Sequence, residues 1–144
     1  MKIRTIDLPD DLDEGVFNVI KELRPHLELA DFKHLVTLAH AADGYRLVVA
    51  DYKGEVRGVM GYRILHDLVH GSHLYIDDLV TAAKHRDQGV GAQLLKFAEA
   101  EARRLGFTNL RLCTGIENEE AQRFYKREGW EARSFAFKKK VPSH

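Results

Sequence analysis

A chain of 144 residues has the size of one ordinary domain, and its 44% hydrophobic and 31% charged residues are typical of a globular protein. Lysine plus arginine and aspartate plus glutamate number 22 each, and this balance disfavours a dedicated nucleic-acid binder. No apolar run approaches the roughly 20 residues that cross a membrane, and charges interrupt the N-terminus where a secretion signal would be apolar. We therefore expect no nucleic-acid partner, no membrane insertion and a cytoplasmic location.

The first half of the chain predicts a strand, two helices and a meander of strands. Alternating residues indicate the first strand, amphipathic spacing indicates the helices, and valine-rich segments indicate the later strands. A Lys53-Gly54 pair between two of these strands predicts a hairpin turn. The predicted elements are a strand over 2–7, helices over 11–23 and 28–41, and strands over 45–50, 56–65 and 73–81.

The second half predicts an alternation of helices and strands. Apolar residues recur at helical spacing until Gly106, and Asn118 and Gly129 suit the two ends of a second, shorter helix. The predicted elements are helices over 89–105 and 118–129, a strand over 107–113, and one or two strands over 130–140. This order predicts an α/β or α+β fold with a mixed sheet in a single domain.

A basic, glycine-containing turn connects the strand over 73–81 to the helix that follows it. Backbone amides at the start of a helix have no partner within it, and the helix dipole favours negative charge there. Gly89 and Gly91 let an anion approach the backbone, and Arg86 adds a positive charge. A Walker loop is excluded because Ala92 follows Gly91, and a dinucleotide fingerprint is excluded because residue 94 is leucine.

The pattern Arg86-x-x-Gly89-x-Gly91, after a strand and before a long helix, resembles the pyrophosphate-binding motif of the GNAT superfamily of N-acetyltransferases. The segment 75–81 is similar to the strand that precedes this motif in the superfamily. A later segment is similar to its second motif, and the spacing between the two is typical. That second segment is Asn118-x-x-Ala121-x-x-Phe124-Tyr125-x-x-x-Gly129-Trp130.

The resemblance implies one N-acetyltransferase domain over residues 1–144, with a mostly antiparallel sheet that is splayed at its centre and flanked by helices. It also implies acetyl-coenzyme A as co-substrate and no metal. The pantetheine arm would pair with the strand at Leu79, Val80 and Thr81. Arg86 and the amides of Gln88, Gly89, Val90, Gly91 and Ala92 would hold the pyrophosphate. Asn118 would lie near the cofactor, cap its helix, or do both.

The implied reaction is direct attack of a primary amine on the thioester in a ternary complex. Tyr125 matches the superfamily's usual general acid, although it would also suit simple packing beside Phe124. Asp77 or Asp78 would be the general base, with Tyr75 and His73 as weaker candidates from the same strand. Strand alternation sends adjacent side chains to opposite faces, so at most one aspartate would face the cleft unless the strand bulges. The alternative from another class is a module that senses acetyl-coenzyme A without turnover.

The acceptor amine would be a small molecule or a peptide, and a homodimer is common among similar proteins. The connection that contains Arg24 and His26 would border the acceptor site. His66, His70 and His73 lie near Asp67, but we expect solvated loop histidines rather than a metal site. The lone cysteine, Cys113, ends an apolar stretch and is predicted to be buried.

Overall fold

The computed structural model describes residues 1–143, in which five strands form one sheet accompanied by four α-helices. Met1–Leu112 forms one compact unit, and the chain from Cys113 onward forms a second. No helix within residues 1–143 is long and apolar enough to span a membrane. In chain order the elements are β1 (Lys2–Thr5), α1 (Glu14–Leu23), α2 (Leu29–Asp43), β2 (Arg46–Tyr52), β3 (Glu55–Asp67), β4 (Gly71–Thr81), a 3₁₀ turn (Ala83–His85), α3 (Val90–Arg104), β5 (Leu110–Leu112) and α4 (Glu119–Arg127).

The sheet has the strand order β1-β2-β3-β4-β5, antiparallel throughout except for the parallel pair β4–β5. This confirms the mixed, mostly antiparallel sheet. β5 pairs with β4 only from Leu74 to Ile76, whereas β3 accompanies β4 as far as Thr81. From Asp77 to Thr81, therefore, β4 has a strand neighbour on one side only among the described residues, and this is where the expected opening of the sheet lies.

A two-residue turn joins β2 to β3, as the Lys-Gly pair predicts. Lys53 and Gly54 both have positive φ angles, 51° and 81°, and Tyr52 pairs with Glu55 across the turn. Two positive φ values are typical of the type I′ turn, whose twist matches that of antiparallel strands. The turn fixes the register of β2 against β3.

The core lies on both faces of the sheet. In β2, four consecutive residues from Leu47 to Ala50 are fully buried, so both faces of this strand are covered. α1 and α2 pack together through Phe17 and Phe32, whose ring centroids lie 5.4 Å apart. α3 supplies its own buried stripe, which comprises Val90, Leu94, Leu95, Ala98 and Ala102.

Gly58 on β3 sets how closely the first turn of α3 approaches the sheet. A Cβ atom at this position would overlap the side chain of Val90 and lie 3.1 Å from that of Leu94. Close packing leaves no room for such an atom without displacement of the helix. A glycine on β3 therefore positions the helix start that follows the basic turn.

Two predictions near the C-terminal end are wrong. Within the described chain, no strand forms between residues 130 and 140, where Phe135 and Phe137 are exposed. Alternation of apolar residues favours a strand only where a neighbouring backbone accepts its hydrogen bonds. Cys113 is exposed because β5 spans only three residues and ends at Leu112, one residue before it.

Candidate active site

The basic turn leads from the 3₁₀ turn after β4 into α3 through two residues with positive φ angles. Asp87 has φ 64° and Gly89, the N-cap of α3, has φ 76°. The amide of Gln93 donates to the carbonyl oxygen of Gly89 at 3.0 Å, which is the first hydrogen bond of the helix. The amides of the three residues between them therefore have no partner within the helix and stand at its positive end. These residues are Val90, Gly91 and Ala92.

The surroundings of this turn suit an anion such as a pyrophosphate. Arg86, Gln88 and Gly89 are exposed, and the side chain of Arg86 makes no ion pair within residues 1–143. The neighbouring side chains of Lys84 and His85 differ, because both contact the carboxylate of Glu55, at 3.0 and 2.8 Å. Arg86 is thus available to a ligand, and exposed backbone at a glycine-rich helix start is what a diphosphate needs.

Gln88 has a partner that the sequence did not indicate. Arg57 on β3 donates from Nη1 to Oε1 of Gln88 at 3.3 Å, and its guanidinium lies over the ring of Tyr52 at 4.4 Å from the centroid. The backbone carbonyl oxygen of Arg57 also accepts from the amide of Ala82 at 2.8 Å. Arg57 of β3 therefore holds the turn through both its side chain and its backbone.

The predicted pantetheine strand, Leu79, Val80 and Thr81, forms the last part of β4. These residues pair in register with Met60, Val59 and Gly58 of β3, respectively. Val80 is buried, and its two neighbours are half-buried. Because β5 pairing has ended at Ile76, the other edge of these residues carries no strand in the described chain.

A β-bulge places Asp77 and Asp78 in the same cavity. Gly61 of β3 pairs with Asp78 and the next residue, Tyr62, pairs with Ile76, so Asp77 is the extra residue. The extra residue breaks the alternation of side chains along β4. Both residues line one cavity, and the bulge is the exception under which both of them were expected to be able to face the cleft.

The cavity has a volume of about 560 Å³ and opens between the first two helices and the sheet. Its apolar side comes from α1, α2 and their connection, and its charged side comes from β3, β4 and the same connection. Arg24 and His26 both line it, as predicted for the border of an acceptor site. The remaining lining residues are Ile20, Leu27, Phe32, Leu35, Val36, Ala39, Asp43, Tyr45, Arg63, Asp77 and Asp78.

Each of the two carboxylates is held by its own arginine. Arg63 donates two hydrogen bonds to the carboxylate of Asp77, from Nε to Oδ2 at 2.9 Å and from Nη2 to Oδ1 at 2.8 Å. Arg24 donates from Nε and Nη2 to Oδ1 of Asp78 at 3.2 and 3.1 Å. Tyr45 donates from its hydroxyl to Oδ2 of the same carboxylate at 2.6 Å.

A glycine on β3 makes the Tyr45 contact possible. A Cβ atom on Gly61 would overlap the phenol ring of Tyr45, so no larger residue fits beside it. Neither Tyr45 nor Arg63 was predicted from the sequence as a site residue. Their partners are 33 and 14 residues away along the chain. The register of β3 against β4 brings Arg63 to Asp77, and Tyr45, which directly precedes β2, lies beside Gly61, the pairing partner of Asp78.

The environment shifts two pKa values in the cavity. Burial raises the pKa of Asp77 above its usual range; Arg63 acts in the opposite direction, while the negative charges of Asp78 and Asp43 add to the increase. Burial and the negative charge of Asp78 together raise the pKa of Tyr45 well above its ordinary value. The Tyr45 hydroxyl therefore stays protonated and remains a hydrogen-bond donor at neutral pH.

In the second compact unit, α4 has the predicted N-cap. Oδ1 of Asn118 accepts from the amide of Ala121 at 3.1 Å. The ring of Tyr125 packs edge-on against Phe124 and Trp130, with centroids 5.3 and 6.0 Å apart. Burial raises the pKa of Tyr125 to about 12. Its packing beside Phe124 is thus observed, and its role as an acid stays a prediction.

The histidine group at the β3–β4 connection is organised differently from the prediction. His73 is fully buried rather than solvated; its Nδ1 lies 3.0 Å from the carbonyl oxygen of Gly71 and its Nε2 lies 3.0 Å from Nη1 of Arg111. A guanidinium only donates, so Nε2 is the acceptor and Nδ1 carries the proton. The possible ligand atoms of Asp67, His70 and His73 lie within 4.8 Å of one another, but Arg111 supplies the positive charge among them, 3.5 Å from Asp67.

The chain matches the sequence profile of the acetyltransferase (GNAT) family over residues 9–130. It is 29% identical over 126 residues to the uncharacterized N-acetyltransferase YhdJ of Bacillus subtilis, an alignment that covers 87% of this chain and 89% of that protein. It is 38% identical over 96 residues to the aminoalkylphosphonate N-acetyltransferase of Salmonella typhimurium, covering 66% of this chain and 61% of the relative.

Solved structures agree on the fold. The aminoglycoside N-acetyltransferase AAC(6')-Iy, crystallised in complex with CoA, superposes with a TM-score of 0.78 at 19% sequence identity. The superposition covers 97% of this chain and 95% of that one.

Proposed function

The chain belongs to the acetyltransferase (GNAT) family and is an N-acetyltransferase that uses acetyl-coenzyme A, and on this basis we propose how its residues carry out the transfer. The observation that carries the proposal is the start of α3, where Val90, Gly91 and Ala92 present amides without helical partners beside the exposed Arg86. These groups would bind the pyrophosphate of the cofactor together with the amides of Gln88 and Gly89. Asn118 would add a contact through its side-chain amide nitrogen, since Oδ1 is used by the cap.

The free edge of β4 would bind the pantetheine arm. Leu79, Val80 and Thr81 lie directly before the basic turn and have strand pairing on one side only among the described residues. An extended arm with amide groups would pair with that edge as an added strand does. The thioester, which the bound cofactor supplies for attack by an amine, would then lie near the carboxylates of β4.

Asp77 is the better candidate for the general base. An alkylammonium with a pKa of about 10.4 must lose a proton before it attacks the carbonyl carbon of the thioester. The raised pKa of Asp77 brings its carboxylate closer to working pH, and Arg63 leaves lone pairs free on both of its oxygens. Asp78 accepts three hydrogen bonds from Arg24 and Tyr45, and this suits it to a structural role that links these two residues to β4.

Tyr125 would act on the departing sulfur. A carbon–nitrogen bond forms as the carbon–sulfur bond breaks, and negative charge builds on sulfur. With a pKa of about 12, the phenol stays protonated at neutral pH. Because a thiol, with a pKa of about 8.5, is the stronger acid, the hydroxyl would contribute most as a hydrogen-bond donor to the developing charge before sulfur takes its proton.

The cavity beside Asp77 would hold the acceptor. It touches the proposed base directly and has the size usual for small-molecule sites, about 300–1,000 Å³. The name of the Salmonella typhimurium relative describes an aminoalkylphosphonate acceptor and that of AAC(6')-Iy an aminoglycoside. A small-molecule amine is therefore the acceptor class that we propose here.

Turnover distinguishes the enzyme from a sensor of acetyl-coenzyme A. Thiol release from acetyl-coenzyme A would be followed with and without a panel of primary amines. Acceleration by at least one amine supports transfer. Tight cofactor binding with no accelerated thiol release across the panel would support the sensor instead.

The family match runs across both compact units, which supports one acetyltransferase domain over residues 1–144. The exposed, unpaired thiol of Cys113 suits a reducing compartment, and we place the protein in the cytoplasm.

A homodimer would give the exposed segment 130–141 a partner. Phe135 and Phe137 are 82% and 94% exposed, and the segment has the alternation of a strand without a strand neighbour in the described chain. The outer edge of β5 in a second copy would supply the missing backbone partner. Light scattering should give the mass of two chains, and Phe137→Glu should halve it. A single-chain mass for the unaltered protein would contradict the dimer.

Gly89→Glu should weaken coenzyme A binding at least about tenfold, because it places bulk and negative charge where the phosphates bind and strains a left-handed backbone. Gly106→Glu is the matched control, since Gly106 has φ 80° at the opposite end of α3 and its Cβ would also meet open space. Calorimetry would measure both affinities. Equal losses in the two folded variants would remove the turn from the cofactor site.

Asp77→Asn should lower kcat by about 100-fold or more, since it removes the base. In the unaltered enzyme, kcat should fall as pH drops through the Asp77 pKa, and because burial raises that pKa the fall should begin above the usual range of an aspartate. The variant should lose this acid limb, whereas Asp78→Asn should keep it. An acid limb that persists in Asp77→Asn would assign the base elsewhere.

Tyr125→Phe should reduce kcat by about 100-fold while it leaves coenzyme A affinity within about twofold, because the lost hydroxyl acts on charge that develops only during transfer. Tyr52→Phe, at an exposed tyrosine of β2, is the control for loss of a phenol hydroxyl. Steady-state thiol release and calorimetry would be measured on both. Unchanged kcat in Tyr125→Phe would exclude it from the mechanism.

A further inference from the structure

The acceptor cavity has one apolar side formed by the first two helices and their connection. Arg24, His26 and Asp43 from these elements also line the cavity, but six side chains of this part are aliphatic or aromatic. They are Ile20, Leu27, Phe32, Leu35, Val36 and Ala39. A ligand gains binding free energy in this cavity if its own apolar surface covers these side chains and removes them from water.

The two arginines on the charged side of the cavity are already paired with carboxylates of the protein. Arg24 is bound to Asp78 and Arg63 to Asp77, with donor–acceptor distances between 2.8 and 3.2 Å. A phosphonate or a carboxylate on the acceptor would have to compete with these carboxylates for the two guanidinium groups. The pairs therefore offer little to a second charged group on the ligand.

One carboxylate of the lining has no such partner. Asp43, at the end of α2, is exposed and makes no ion pair within residues 1–143. Its charge acts on Asp77 and Arg63, so it lies on the side of the cavity where the base is. A carboxylate outside any ion pair attracts a cationic amine and repels an anionic ligand.

We propose that the acceptor is a monoamine whose amino group is carried on an apolar body, aromatic or branched aliphatic, with the body against the α1–α2 side and the amine toward Asp77. This inference rests on the proposed function and names the substrate class of that same cavity. The cavity volume would also admit a polyhydroxylated amine, so the chemistry of the lining residues, rather than the volume, selects the class of acceptor. The hydroxyls of a sugar would lose water along the apolar side and find no hydrogen-bond partner there.

Three probe amines test the class. 2-Phenylethylamine presents an apolar body, 2-aminoethylphosphonate presents a second charge, and kanamycin presents a polyhydroxylated body. In a thiol-release assay, kcat/KM for 2-phenylethylamine should exceed that for each of the other two by about tenfold or more. A higher value for either of the others would overturn the inference and leave N-acetyl transfer intact. Failure of all three with coenzyme A still bound would count against the inference and the proposed function together.

Two leucines of α2 provide a matched pair of variants. Leu35 lines the cavity and is 50% exposed, whereas Leu38 is 55% exposed and lies outside the lining. Leu35→Asn should lower kcat/KM for 2-phenylethylamine about tenfold, chiefly through KM, because it puts an amide on the apolar side. Leu38→Asn should leave kcat/KM within about twofold. Equal effects in the two folded variants would show that the apolar side does not contact the acceptor.

Discussion

Three backbone amides at the start of α3 have no partner within the helix, and the residues around them hold this helix start in place. Gly89 adopts a left-handed conformation that turns the chain into the helix, and Gly58 on β3 allows the first turn to lie against the sheet. Val90 and Leu94 anchor that turn in the core. In the proposed cofactor site this helix start is formed before the anion arrives, so little ordering would accompany binding.

The second constraint is the bulge at Asp77. Without the extra residue, Asp77 and Asp78 would point to opposite faces of the sheet, and Arg63 and Arg24 would have no common cavity in which to meet them. With it, β4 carries in succession the two aspartates that line the cavity, the edge without a strand neighbour in the described chain, and the approach to the basic turn. In the proposed mechanism, the acceptor side and the pantetheine edge are therefore aligned by one strand.

Local features of the sequence predicted where α3 and α4 begin, because a helix start depends on neighbouring residues. The pattern from Arg86 to Gly91 and the cap at Asn118 are both short-range, and the structure has each helix start where the sequence predicts it. Tyr45 and Arg63 were not predicted, since their importance comes from partners on other strands. The burial of His73 depends in the same way on Arg111 from β5.

Amide chemical shifts would test the central claim most directly. Titration of nitrogen-15-labelled protein with coenzyme A should shift the resonances of Val90, Gly91 and Ala92 at stoichiometric binding, with hydrogen exchange slowed at the same amides. The amide of Gly106, at the other end of α3, should move little. Saturable binding that leaves the helix-start amides unchanged and shifts resonances elsewhere would contradict the assignment of the diphosphate to α3.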